Sequence, residues 1–180
     1  MSAELVRLAE LLAARDELDA QIAKLVGRSA RPGDVGEFIA AQVFDIELAA
    51  SATQAGYDGV FRSGPLRGKT VNVKTYGDVL GGIDIGAHPC DCYLVLTGPP
   101  RGGAVGVRHH PWRITGVYLF EMAKLMAVLR QRGVKIGIAT SLRKADAEAA
   151  RIFPQSDRSP LPLSPDQAAL LQLFGGGVAR

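Results

Sequence analysis

Four side chains in the first half of the chain are of types that, brought together, do phosphate chemistry: Glu37, Asp58, Asn72 and Lys74. Asn72 and Lys74 stand two apart in TVNVKTY, and residues i and i+2 of a strand point to the same face. Asp58, in GYDGVF, lies on what would be the hairpin partner of that strand. Mg²⁺ or Mn²⁺ takes oxygen donors in octahedral geometry, with one or two carboxylates beside waters and phosphate oxygens. Asp58, Glu37 and Asn72 are the candidate ligands. Phosphodiester cleavage uses such an ion to stabilise charge and to generate hydroxide. Lys74 would orient that water and stabilise the five-coordinate phosphorus.

Each residue also has a purely structural reading. Glu37 follows Asp34 by three, the spacing of a capping box at the start of a helix. Asp58-Gly59 is a common turn dipeptide. Lys74 would reach solvent if its strand lay at a sheet edge, and Asn72 would pair with a backbone group.

The elements that must position these side chains follow from periodicity. Leu5, Leu8, Leu12, Leu18, Ile22 and Leu25 predict a helix over 3–26, stopped by Gly27. A second helix is predicted over 34–50, apolar on two sides and therefore sandwiched between the first helix and a sheet. Strands are predicted at 57–62, 69–76, 92–97 and 113–119, a helix at 120–132, and a central strand at 134–140. An Ala-rich helix over 143–152 and a last helix opening at Ser164-Pro165-Asp166 complete the order.

In this order the chain resembles the PD-(D/E)XK nucleases, the restriction-endonuclease-like superfamily. The likeness runs over roughly residues 33–140. It implies an α/β fold with an αβββαβ mixed sheet flanked by helices, here with an added N-terminal helix and C-terminal helices. It implies Glu37 as the helix acid, Asp58 as the strand acid and Lys74 as the motif lysine. Asn72 falls where the pattern has Glu or Asp. An amide oxygen can ligate a metal but brings no charge, so Asn72 leaves two readings open. One is a Mg²⁺- or Mn²⁺-dependent endonuclease acting on DNA. The other is a catalytically inactive DNA-binding or scaffolding module on the same fold.

Charge distribution bears on the partner. The formal net charge is +3, but residues 1–90 are net acidic and 91–180 net basic. The candidate phosphate-gripping residues are Arg101, Arg108 and Arg113 in a Gly/Pro/Arg-rich loop, with Lys124, Arg130, Arg132 and Lys135 further on. Such asymmetry suits a polyanion such as nucleic acid, and equally a solvated helix face. Trp112 is either a base contact or a packing anchor for that loop.

Other chemistries are poorly supported. His88, Cys90 and Cys92 alternate, but H-x-C-x-C lacks the usual zinc-knuckle spacing. Ser141 has no partnered His nearby in sequence. GPPRGG at 98–103 is followed by no Lys-Ser/Thr and no helix, so it is not a phosphate loop.

The 180 residues, 47% of them apolar, can bury a sizeable core. No apolar run is long enough for a membrane span and the N-terminus lacks a secretory pattern. Two cysteines one residue apart make no disulfide framework, so a reducing cytoplasm is the expected compartment. The expected organisation is an arm over 1–30 that either packs on the body or dimerises, a core over 31–153, and a connector, helix and Gly-rich tail over 154–180.

Overall fold

The computed structural model describes residues 2–50, 56–99 and 113–175. Among these described residues, five α-helices and eight strands form a mixed α/β fold with a six-stranded sheet and a separate two-stranded one. The helices are α1 (Ala3–Val26), α2 (Pro32–Phe44), α3 (Met122–Gln131), α4 (Lys144–Ala150) and α5 (Pro165–Gln172). The strands are β1 (Ile46–Leu48), β2 (Gly59–Phe61), β3 (Thr70–Tyr76), β4 (Gly82–Ile83), β5 (Cys92–Thr97), β6 (Gly116–Glu121), β7 (Thr140–Ser141) and β8 (Arg151–Phe153). Among the described residues no helix is long and apolar enough to cross a membrane.

The large sheet runs β1-β2-β3-β5-β6-β8. Only β3 and β5 pair in parallel; every other pair is antiparallel. All six residues of CYLVLT in β5 are buried, as a strand covered on both faces requires. One core lies under α2 and α5 and includes Val71, Val73, Leu94, Leu96 and Leu171. The other lies under α3 and α4 and includes Tyr93, Val95, Leu125, Leu129 and Ala150. Alternation along β3 therefore sends Val71 and Val73 to the first core. Asn72, Lys74 and Tyr76 turn to the opposite face.

The structure corrects several expectations. The second helix begins at Pro32 and ends at Phe44 instead of running over 34–50. Asp45 adopts a left-handed conformation (φ 52°), which Asp tolerates better than most residues, and its side chain accepts from Arg62 Nε at 2.8 Å. The chain turns there into β1. Asp34 is not the N-cap; it lies in the first turn, where Ser29 Oγ donates to it. The second face of α2 meets α5 as well as the C-terminal end of α1, whose residues are nowhere fully buried.

Residues 134–139 form no strand. Ala139 is left-handed (φ 55°), and its N–H donates to Asp84 Oδ1 at 2.7 Å. Thr140 Oγ1 bridges both the N–H and the carbonyl of Gly137 at 2.8 Å. The segment is coiled by these local bonds, and only Thr140–Ser141 pairs, with β4. The sheet position beyond β6 is taken by β8, which follows α4 directly. Five strands of the large sheet thus precede α3, so the chain order departs from a simple αβββαβ.

Gly36 sets how closely α2 lies on β3. A Cβ there would stand 1.9 Å from Thr75 Oγ1 and 3.1 Å from Thr75 Cβ. Gly36→Ala is expected to lower stability by about 1–3 kcal/mol, the usual range for overpacking a tight interface. Chemical denaturation checks this, and Thr75→Ser in the same background should leave most of the loss, because the hydroxyl remains.

Candidate functional site

Asp58 is fixed by main-chain and side-chain bonds together. Its N–H donates to Val71 O at 2.9 Å, and its carbonyl accepts from Ala49 N at 2.8 Å. Its Oδ2 accepts from the Val73 N–H at 2.7 Å. The carboxylate takes the place of a strand carbonyl at the point where β2 gives out and β3 continues. The turn reading of Asp58 is therefore replaced by a specific role between β1 and β3.

Glu37 approaches from α2, one residue beyond the Gly36–Thr75 contact. It is not the closing member of a capping box: Arg28 Nη1 donates to its Oε2 at 2.6 Å. Arg28 Nη2 donates to Ala49 O at 2.7 Å, the carbonyl of the same residue whose N–H bonds Asp58. The two side chains of the pair are 21% and 17% exposed. Arg28 thus joins α2 to the end of β1. Sequence reasoning missed Arg28, since it lies in the turn between two helices and carries no periodic signal.

Burial pushes the Glu37 carboxyl above its ordinary value, the neighbouring Asp58 charge pushes it further, and Arg28 opposes both. Burial likewise pushes Asp58 up, against the Val73 N–H and the charges of Lys74 and Arg28. Asp58 therefore lies in the fields of Lys74 and Arg28, and Glu37 in those of Asp58 and Arg28. The formal charges of the four sum to zero with both acids ionised.

Asn72 and Lys74 share the opposite face of β3, as the alternation predicts. β3 is an interior strand, so the edge-strand reading of Lys74 does not apply. Lys74 Nζ lies 5.9 Å from the centroid of the Tyr93 ring. Tyr93 stands opposite Asn72 in the parallel register, and its hydroxyl accepts from Gly86 N at 3.0 Å. Asn72 Oδ1 is buried and accepts no hydrogen bond among the described residues. Buried acceptors are rarely left so, and such an atom calls for a partner. Two carboxylates and an orphaned amide oxygen are all hard donors, which fits Mg²⁺ or Mn²⁺ better than a softer metal.

Cys90 and Cys92 are free. Burial pushes both thiols up to about 11, which keeps them protonated, and the Cys90 Sγ donates to Cys92 O at 3.3 Å. Among the described residues no three His, Cys, Asp or Glu side chains gather as a metal-holding group.

The basic residues are scattered. Arg132 points to Asp146 at 2.5 Å, half in the interior, and its Nε is buried. Lys124 pairs with Glu121 at 3.0 Å. Arg113, Arg130 and Lys135 are exposed. Arg101, Arg108 and Trp112 lie outside the described residues.

No family model matches the chain, and no curated protein matches it either.

Two predictions follow from the geometry. Raised carboxyl pKa values mean that the folded state holds protons more tightly than the unfolded chain. The contribution of Asp58 and Glu37 therefore falls as pH rises from the ordinary carboxylate value through the raised one. Asp58→Asn keeps an acceptor for the Val73 N–H and removes the charge. At neutral pH it should melt at or above the wild-type temperature, with a flatter pH dependence on the acid side; melting curves across that range check this. Arg28→Met should cost about 2–3 kcal/mol by leaving Glu37 unpaired beside Asp58, and Glu37→Gln in the same chain should recover part of it, read by denaturant titration.

Proposed function

We propose that this chain is a restriction-endonuclease-like protein that binds Mg²⁺ or Mn²⁺ and hydrolyses phosphodiester bonds in DNA. The observation that carries the reading is a desolvated Asp58 carboxylate in the field of Lys74, with Glu37 near enough for Asp58 to raise it, on a strand that also buries an amide oxygen accepting no hydrogen bond among the described residues. The first part of the element order supports the same reading, although the order after β5 departs from αβββαβ. Helix α2 is followed by the antiparallel β1, β2 and β3, then by β5 parallel to β3.

Asp58 and Asn72 Oδ1 would hold the cation, and Glu37 would bear on it through its field on Asp58. The cation, when bound, supplies charge stabilisation and an activated water. Asp58 is held by the Val73 N–H so that one oxygen is already oriented. Lys74, poised over Tyr93, places a positive charge toward the phosphate and the attacking water. Arg28 keeps Glu37 ionised in spite of its burial.

A second reading rests on a specific observation: Asn72 stands in an acid's place and Arg28 neutralises Glu37, so the set offers a cation no net negative charge. The protein would then bind DNA without cutting it.

Calorimetric titration of Mg²⁺ and Mn²⁺ into the wild type and Asp58→Asn separates the two. The nuclease reading expects saturable binding that Asp58→Asn abolishes. It also expects metal-dependent cleavage of plasmid or single-stranded DNA that Lys74→Ala lowers by roughly 100-fold or more while the fold is kept. Absence of metal binding together with DNA affinity that falls steeply with salt would establish the binding module instead. Absence of both would overturn the nucleic-acid reading altogether.

A further inference from the structure

Helix α1 is 24 residues long and buries none of them, although a third of its side chains are large and apolar. Leu5, Leu8, Leu11, Leu12, Leu18 and Leu25 are all between 41% and 75% exposed. A helix of this length extends about 36 Å. Only its C-terminal end leans on the body, where Ile22 and Val26 are half-buried. A row of leucines of this kind left in water is costly.

The row has a regular spacing. Leu8, Leu11, Arg15, Leu18, Ile22 and Leu25 alternate steps of three and four residues, the seam of a two-stranded coiled coil. The d positions are all leucine, and Arg15 is the only charged residue on the seam. Arg15 has no strong partner within its own chain. It lies 3.8 Å from Asp16, and both side chains are well exposed.

We propose that α1 is the dimerisation element of the protein and that its occupant is the α1 of a second copy, packed antiparallel. The orientation comes from charge. In a parallel pair the two Arg15 side chains would face each other across the seam, which like charges oppose. Reversing one helix pairs Leu8 with Leu25, Leu11 with Ile22 and Arg15 with Leu18. Four of the six seam positions then meet an apolar partner, Leu18 packs against the Arg15 stem, and each Arg15 is brought beside the partner helix's Asp19. Two-fold symmetry makes that ion pair twice. The sequence of α1 is thus complementary to its own reverse, as an isologous interface requires. The inference is independent of the nuclease reading.

Light scattering and sedimentation of the full chain at micromolar concentration test it. The expected mass is twice the 19.1 kDa of one chain. Leu11→Glu/Leu18→Glu should give a single-chain mass with the melting of the α/β body unchanged, since α1 contributes nothing to the buried core. Arg15→Glu should weaken association roughly tenfold or more, and Arg15→Glu/Asp19→Arg should restore it, because only the antiparallel arrangement sets these two positions together. A wild-type chain that is monomeric overturns the proposal, even if α1 then captures another protein. A dimer that survives the double leucine substitution places the interface elsewhere. Failure of the charge swap to rescue association refutes the antiparallel register.

Discussion

The pairing of β5 with β3 on one side and β6 on the other is the constraint from which the rest of the molecule follows. β5 is buried at every position, so both of its faces must be roofed. The face with Leu94 and Leu96 is closed by α2 and α5, and the face with Tyr93 and Val95 by α3 and α4. Burying one strand on both faces forces two separate cores. The parallel register with β3 then decides which residues of β3 look into each. Val71 and Val73 are spent on the first core, which leaves Asn72 and Lys74 on the second face beside Tyr93. The polar residues of the candidate site are therefore by-products of a packing decision made one strand away.

Helix α2 is the other half of that arrangement. It approaches β3 so closely that glycine is required at position 36, and this brings Glu37 close to the end of β2. Arg28 then ties the helix to the carbonyl of Ala49. A partly buried pair of this type adds little net stability, because desolvation offsets the attraction. Its effect is positional: it prevents two carboxylates from repelling one another out of the site.

Much of this was legible in the amino-acid order, and the failures have definite causes. CYLVLT and TVNVKTY read as strands because their patterns fit no helix, and Ser164-Pro165 announced α5 by its cap, which the Gln167 side chain completes. β1 was hidden because Ile46 and Leu48 continue the apolar face of α2, so the 3.6 and 2.0 periods coincide there. The run VKIGIAT looked like a central strand by composition alone. Asp84, 55 residues away, and the Thr140 hydroxyl hold it in a turn instead, and no local pattern reports such bonds. In the site, the shared face of Asn72 and Lys74 was readable from alternation. The Arg28–Glu37 pair was not, since it depends on how two helices meet.

The hydrogen bond from the Val73 N–H to Asp58 has a role in folding as well as in chemistry. β2 pairs with β3 through Gly59 and Val60, a short ladder continued by the Asp58 N–H to Val71 O at 2.9 Å and the Phe61 N–H to Lys69 O at 3.1 Å. Sliding β3 by one residue would turn Asn72 and Lys74 toward α2 and move the two valines out of the first core to the other face. Such a slip would also pull the Val73 amide away from the carboxylate that receives it. Asp58 thus acts as a detent for the hairpin: a single ionisable side chain that makes the correct alignment of two strands and the assembly of the polar cluster one and the same event.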